Sequence, residues 1–234
     1  MRSPEHAFTR IELAAVVAAL ALLGALALPL LAGTRAEGDR AGCFNNLRVF
    51  GRATEMWASD HDGLLPWLTL VSRGGTRPDA GGVKSGNAWF EFTTLSNELV
   101  TPRLLACPAD TGVKVAADFS NVGGRGYLAT GMRSLATSYF VNMDNFSRSP
   151  VMAVIGDRNV RTDGITSCSQ GVNNADRINL LPPGPTFWTN AVHGSQGHLL
   201  RTDGSVTYTG SAAVLADYFR LLDDNGSAHL LRAR

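Results

Sequence analysis

The chain has little net charge of either sign, which limits the partners that it can bind. It contains 21 lysine and arginine residues against 20 aspartate and glutamate residues, a formal net charge of +1. No stripe of basic residues with interleaved aromatic residues occurs along it. A nucleic-acid-binding surface needs such a concentration of positive charge to neutralise phosphates. We therefore expect no nucleic-acid partner.

Cysteine is also scarce, and its spacing lacks the common zinc motifs. The three cysteines are Cys43, Cys107 and Cys168. No Cys-x-x-Cys pair and no histidine-rich cluster accompanies them, so the sequence predicts no metal site and no other cofactor. In an oxidising compartment one disulfide can form, and one thiol is then left over. The spacing leaves the pairing open, and three buried thiols are an equal alternative.

One long apolar run lies near the N-terminus, with a carboxylate at its start. Residues 13–32 form a stretch of twenty residues without a charge. As a helix rising about 1.5 Å per residue it would span a hydrocarbon core of about 30 Å, which predicts a membrane span over about 11–32. Glu12 precedes the run, and a carboxylate there usually marks a functional site with a partner. A cleaved export signal is the alternative, although its apolar region is normally shorter.

The residues around this carboxylate resemble the N-terminus of type IV pilins and type II secretion pseudopilins. That family has a short polar leader, a small residue, Phe-Thr-Leu-Ile-Glu and a long apolar helix. This chain reads Ala7, then Phe8-Thr9-Arg10-Ile11-Glu12-Leu13. Ala7 replaces the more usual glycine, and Arg10 replaces an apolar residue. Many members also have a proline that kinks the helix, and Pro29 falls at the matching place.

The resemblance implies a route of processing and assembly. A prepilin peptidase would cut between Ala7 and Phe8, remove the leader at 1–7 and methylate the new amine of Phe8. Glu12 would then set the register of neighbouring subunits by pairing with that amine. An Arg10–Glu12 ion pair would compete with this role. The implied partners are the peptidase, other pilin-like subunits, the membrane and an inner-membrane assembly platform.

Five short motifs further along resemble, in the same order, a large group of bacterial pilin-like proteins. They are Cys43-Phe44-Asn45-Asn46-Leu47-Arg48, Asp60-His61-Asp62-Gly63-Leu64-Leu65-Pro66, Cys107-Pro108-Ala109-Asp110, Ser138-Tyr139-Phe140-Val141-Asn142, and His193 separated by nine residues from Asp203-Gly204. The motif residues singled out as candidate sites are Cys43, Asn45, Asn46, Cys107, Pro108, Asp110, His193, Asp203 and Gly204. Each motif is weak alone, and their shared order carries the resemblance.

Hydrophobic patterning predicts an α+β fold. Apolar residues at intervals of two to four predict an amphipathic helix over about 40–59, which extends the apolar run into one N-terminal helix over 8–59. The turn-forming residues at 60–63 should end it. Further helices are predicted over 89–99 and 212–222, and strands over 137–142, 151–156, 197–202 and 205–208. We expect a pilin-like fold, with a long hydrophobic helix packed on a mainly antiparallel sheet in an exported globular domain at 60–234.

The function implied by the resemblance is structural and not enzymatic. The chain would be a subunit of a type II secretion pseudopilus or a type IV pilus-like filament, assembled through its N-terminal helix. It would be a single-pass protein of the inner membrane, with a cytoplasmic N-terminus and a periplasmic globular domain, or part of an extracellular filament. One alternative is a membrane-anchored exported binding module that does not assemble, with a ligand pocket lined by Trp67, Trp89 or Trp188.

A second alternative is an exported hydrolase that uses His193, Asp203 or Asp110. It predicts metal dependence, or an activity that falls in a His193→Ala variant. His193 and Asp203 are also candidates for metal ligands or an acid–base pair. However, Asp-Gly is most often the turn of a hairpin, and a histidine is most often a structural hydrogen-bond partner. The sequence therefore favours structural roles for both residues.

Overall fold

The computed structural model describes residues 9–80, 86–144, 152–162, 177–180, 186–219 and 228–232. Within these ranges, only the backbone is described for residues 27, 29–32, 162, 177–180, 216 and 228. The chain divides into two units by its internal contacts, Met1–Asp39 and Arg40–Arg234.

The first element is α1 (Arg10–Asp60), a helix of 51 residues. Glu12 N–H donates to Thr9 Oγ1 at 3.3 Å, while the backbone N–H and hydroxyl of Thr9 donate to Glu12 Oε2 at 2.8 and 2.9 Å. This reciprocal pair is a capping box, which satisfies amide groups at the start of a helix. Asp62 and Gly63 follow the helix with φ of 57° and 78°. The predicted end of the helix at 60–63 is confirmed.

The first part of α1 does not meet the requirements of a membrane span. Among the described residues, no helix is both long enough and apolar enough to cross a bilayer. The predicted membrane span over 11–32 is therefore wrong, as is the inner-membrane localisation with a periplasmic domain. The same finding contradicts two further predictions. They are the pilin-like fold with a long hydrophobic helix and the description of the chain as a transmembrane prepilin.

A sheet of six strands forms the centre of the second unit, in the order β4-β8-β1-β2-β6-β7. Its strands are β1 (Tyr139–Asn142), β2 (Ala153–Asp157), β4 (Arg177–Leu180), β6 (Gly197–Arg201), β7 (Val206–Thr209) and β8 (Ala228–Arg232). Strands β3 (Val160–Thr162) and β5 (Thr186–Trp188) form a separate pair. All these pairings are antiparallel, so the predicted α+β class with an antiparallel sheet is confirmed.

Short helices surround the sheet. They are α2 (Ala88–Thr94), α3 (Ser96–Leu99) and α4 (Ala212–Tyr218), with 3-10 turns at Val71–Arg73, Pro102–Leu105 and Arg133–Ala136. The helix predicted over 89–99 is thus two helices, because the backbone at Leu95 turns to φ −86° and ψ 13° between them. The helix predicted over 212–222 begins as expected at Ala212.

One face of α1 enters the core of the second unit. Its buried positions recur every three or four residues, at Cys43, Leu47, Phe50, Ala53 and Trp57. This spacing places them on one side of a helix with 3.6 residues per turn. The Phe50 ring packs 5.2 Å from the ring of Phe92 in α2 and 5.6 Å from that of Tyr139 in β1. The helix predicted over 40–59 is therefore amphipathic, as its pattern indicated.

The central strands are buried on both faces. Every residue of β1 and β2 is buried. Val141 joins the core cluster that contains the α1 face, whereas its neighbour Phe140 joins a second cluster with Leu215 and Phe219. Successive side chains of a strand point to opposite faces, so this alternation is the expected one. The sheet thus lies between α1 and α2 on one side and α4 on the other.

A substitution at Gly156 in β2 tests how tightly the sheet is packed. A Cβ at this position would lie 2.7 Å from Leu199 Cδ2 and 2.7 Å from Phe140 Cε1. We expect Gly156→Ala to lower the free energy of unfolding by about 1 to 3 kcal/mol, because both neighbours are fixed in a packed core. Urea unfolding followed by circular dichroism measures this change.

Gly131→Ala is the matched control, since a Cβ there would have nothing within 4 Å. Its free energy of unfolding should stay within about 0.5 kcal/mol of the parent value. Equal effects of the two substitutions would contradict the packing seen around β2.

Candidate functional site

The end of β2 and the start of β6 bring a carboxylate and an imidazole together. Gly156 pairs with Leu199 in the antiparallel register, so Asp157 lies beside His198. The backbone N–H of His198 donates to Asp157 Oδ2 at 2.6 Å, and His198 Nδ1 lies 3.0 Å from the same oxygen. The pairing of two buried strands therefore fixes the contact between these side chains.

His193 joins this pair from the loop that precedes β6. Gly194 and Ser195 have φ of 62° and 64°, a left-handed backbone that turns the loop back on itself. His193 Nε2 lies 3.3 Å from Asp157 Oδ2. The side chains of His193, Asp157 and His198 are 3%, 0% and 1% exposed. These three residues are referred to below as the Asp157 cluster.

The Asp157 carboxyl group is held as an anion although it is fully buried. Burial by itself raises the pKa of a carboxyl group, because the charged form loses its hydration. The hydrogen bonds and charges of His193 and His198 outweigh that effect and lower the pKa of Asp157 below its usual range. Among the described residues, Asp157 Oδ1 is buried without a hydrogen-bond partner. One oxygen thus carries the contacts with both imidazoles, and the other remains able to accept.

Aromatic rings surround the two imidazoles. The His198 ring lies 4.6 Å from that of Tyr208 and 6.3 Å from that of Phe44, and the His193 ring meets Tyr208 edge-on at 5.9 Å. The Arg40 guanidinium lies 4.8 Å from the centre of the Tyr208 ring. Burial raises the pKa of Tyr208, and the charge of Arg40 partly opposes this rise. The Asp157 cluster therefore lies in an environment of low polarity.

A disulfide adjoins the cluster. Cys43 in α1 is bonded to Cys107, which lies 64 positions later in the sequence. Cys107 Sγ lies 3.4 Å from His193 Nε2. The structure therefore selects one of the pairings that the sequence left open. Cys168 lies outside the described residues.

Asp110, the last residue of the Cys107 motif, accepts hydrogen bonds from several groups. Arg158 Nε and Nη2 donate to its two oxygens at 2.6 and 2.8 Å, and Ser138 Oγ donates at 2.9 Å. The bond with Asp110 raises the pKa of Arg158. Ser138 Oγ in turn accepts the N–H of Cys107 at 3.0 Å. Asp110 is one of the three residues that the hydrolase hypothesis offers as reactive groups, but its oxygens are occupied by these structural contacts.

The remaining residues of the first and third motifs connect α1 to the turn at Cys107–Asp110. Asn46 Nδ2 donates to the carbonyl of Ala106 at 3.1 Å. Pro108 packs against Gly42, where a Cβ would lie 2.9 Å from the proline ring. Asn45 is exposed on α1. The first and third motifs therefore lie in contact with each other.

The structure does not bring His193 and Asp203 together. The five residues of β6 lie between them, a separation of more than about 15 Å at about 3.3 Å per residue. Asp203 occupies the turn between β6 and β7, where it accepts the N–H of Ser205 at 3.0 Å, and Gly204 has φ 76°. The hairpin interpretation of Asp-Gly holds, whereas His193 contacts Asp157 instead.

The N-terminal candidates have different positions. Ala7 and Phe8 lie outside the described residues, so cleavage and N-methylation stay predictions. The side chain of Pro29 is also outside them, and the predicted kink stays untested. Glu12 is exposed, and hydrogen bonds from the Thr9 backbone and hydroxyl lower its pKa. Its described bonds go to Thr9 and not to Arg10.

The three tryptophans of the binding-module alternative lie apart. Trp67 and Trp188 are buried in the core, and Trp89 lies under the Arg133 guanidinium at 4.8 Å. Two cavities in the described structure, of about 510 and 460 Å³, are lined by other residues. None of the three tryptophans therefore lines either of these cavities.

No protein-family model, curated protein or solved structure matches this chain. The resemblance to pilins therefore stays a prediction from the motifs. The geometry of the described residues carries the functional argument that follows.

Sequence reasoning missed Asp157 and His198. Asp157 directly follows the strand predicted over 151–156, and His198 lies in the strand predicted over 197–202. A titratable residue inside a predicted strand, or directly after one, is a signal that could have drawn attention to both. Their contact depends on the register between β2 and β6, which no local pattern specifies.

Proposed function

We propose that this chain is a structural subunit that assembles with copies of itself into a filament through the first part of α1. The observation that carries the proposal is a set of large apolar side chains that are 48% to 79% exposed. They are Ile11, Leu13, Val16, Val17, Leu20, Leu22, Leu23, Leu26 and Leu28. Such a set is far larger than the scattered apolar residues of an ordinary surface.

These side chains surround the helix on all sides. At about 100° per residue, Leu13 and Leu20 point in nearly the same direction, whereas Leu22 points to the opposite side. A helix that is apolar all round is normally buried on every side. A single neighbouring helix covers only one face of it. Several copies packed side by side cover all faces, and this arrangement is that of a filament core.

The energy of burial is sufficient for such an assembly. Complete burial of one leucine or valine side chain contributes about 1.5 to 3 kcal/mol. Association costs about 4 to 15 kcal/mol in lost motion of each subunit. Nine such side chains are available in α1, so partial burial of the set already offsets that cost.

Glu12 has a local role in this proposal. Its capping box with Thr9 fixes the first turn of α1 and keeps the apolar residues that follow in helical register. A pairing between Glu12 and the amine of a neighbouring subunit, as the pilin resemblance implies, would replace those bonds. The assembly of the apolar side chains does not depend on that exchange.

The test compares the full chain with a Leu20→Asp variant. Leu20 is 62% exposed in the middle of the apolar set. We expect the parent chain to form filaments of uniform width in negative-stain electron microscopy. In the variant, self-association measured by sedimentation velocity should weaken by at least about 100-fold, because an unpaired carboxylate is costly to bury.

Val122→Asp is the matched control, since Val122 is 74% exposed on the second unit. The same chemical change at this position, which is outside the apolar set, should leave filament formation intact. A parent chain that stays monomeric, or that forms only amorphous aggregates, would contradict the proposal. So would a Leu20→Asp variant that assembles as well as the parent.

A further inference from the structure

The geometry points to a divalent metal site of the zinc class, with Asp157 Oδ2, His193 Nε2 and His198 Nδ1 as its ligands. The three ligand atoms all lie within 4.8 Å of one another. They come from β2, from the loop before β6 and from β6 itself, and none of them lies on α1. This inference is independent of the proposed filament function.

The distances fit a small tetrahedral ion. Zinc binds imidazole nitrogen and carboxylate oxygen at about 2.0 to 2.2 Å, which places neighbouring ligand atoms about 3.3 to 3.6 Å apart in a tetrahedron. Asp157 Oδ2 lies 3.3 Å from His193 Nε2 and 3.0 Å from His198 Nδ1. These two separations are therefore close to the tetrahedral ones, and the ligand atoms of His193 and His198 lie within 4.8 Å of each other.

The chemistry of the donors also fits a cation. Asp157 has no exposed surface, and a buried carboxylate needs compensation by positive charge. Two imidazole nitrogens and a carboxylate oxygen are also donor atoms that zinc binds in proteins. Asp157 Oδ1 has no hydrogen-bond partner among the described residues. It could serve as a second carboxylate ligand to the same ion.

The neighbouring sulfur atoms are not part of the inferred site. Cys107 Sγ lies 3.4 Å from His193 Nε2, and Cys43, Cys107 and His193 form a second group of potential ligands. However, both sulfur atoms are joined in the disulfide, and a thiolate is the form that binds metal. Three protein ligands then leave at least one coordination position for water or a small anion.

A spectroscopic and binding experiment on the full chain tests the site. The oxidised protein is stripped with a chelator, refilled with Co²⁺ or Zn²⁺ and analysed for bound metal. We expect one equivalent of zinc, and visible absorption bands of tetrahedral Co²⁺ that disappear when zinc is added. His193→Gln and His198→Gln should each weaken zinc binding by more than about 100-fold, since loss of an outer partner alone costs about 10- to 100-fold.

His229→Gln is the matched control. His229 Nδ1 lies 2.9 Å from Asp144 Oδ2, and the histidine is buried to 1% exposure, so it reproduces a buried histidine–carboxylate pair. Within the described residues this pair belongs to none of the groups able to hold a metal ion. The variant should therefore bind zinc as the parent does. An equal loss in His229→Gln and His193→Gln would overturn the inference.

A measurement without substitutions guards against variants that fail to fold. Zinc-edge X-ray absorption of the parent chain should show two imidazole ligands and oxygen in the first coordination shell. A sulfur shell, an all-oxygen shell or less than one tightly bound equivalent would overturn the site and mean adventitious metal only.

Discussion

Replacement of both Cys43 and Cys107 by alanine is expected to lower the free energy of unfolding by about 4 kcal/mol. The bond joins positions separated by 64 residues in the sequence. A crosslink over a loop of this length removes much of the conformational freedom of the unfolded chain, and the loss of that constraint favours unfolding. Both sulfur atoms are buried, so substitution also removes core contacts.

Chemical denaturation of the parent and the double variant measures this effect. The parent chain treated with a thiol reductant should lose a similar amount of stability. The same reductant should leave the stability of the double variant unchanged, provided that this disulfide is the one responsible. A double variant as stable as the oxidised parent would show that the pairing of Cys43 with Cys107 contributes nothing to stability.

Asp110→Ala is expected to lower the free energy of unfolding by about 3 kcal/mol. Removal of one partner from a buried ion pair typically costs about 3 to 5 kcal/mol, because the other charge is left without compensation. The low end applies here, since the Arg158 side chain is 20% exposed and regains some hydration. The substitution also leaves Ser138 Oγ and the N–H of Gly112 without their acceptor.

Two comparisons separate this mechanism from a general loss of a carboxylate. Asp110→Asn keeps an oxygen that can accept the Ser138 hydroxyl, so its cost should be smaller, about 1 to 2 kcal/mol. Asp203→Ala removes a carboxylate that is 42% exposed beside Arg201, and should cost less than about 1 kcal/mol. Thermal unfolding of the three variants gives the order. An Asp203 effect as large as that of Asp110 would contradict the assigned role of the buried pair.

Local patterns were sufficient to predict the elements whose side chains alternate between core and solvent. The α1 face at Cys43, Leu47 and Phe50 follows from helical spacing, and the turn at 60–63 follows from its Asp and Gly residues. Four strands were located within two residues of their bounds. In each case the spacing of apolar residues in the sequence matches the spacing of buried residues in the helix or strand.

Other features depend on contacts that no local pattern encodes. Strands β3 and β5 have only three residues each, too few to show a period. The disulfide pairing and the Asp157 cluster join residues that are far apart in sequence. The membrane prediction is wrong for a different reason, because an apolar run does not by itself distinguish a lipid environment from a protein one. The same side chains are equally suited to packing against other helices.

The position of β8 within the sheet affects the order in which the chain acquires its structure during synthesis. This strand comes last among those described, yet it lies between β4 and β1 and bonds to both. In the described sheet β4 is attached through β8. A ribosome that has not yet released β8 therefore carries a domain whose sheet is incomplete and whose β1 edge is unpaired. Such late pairing of distant segments slows folding, and it leaves the emerging chain prone to aggregation until β8 has been synthesised.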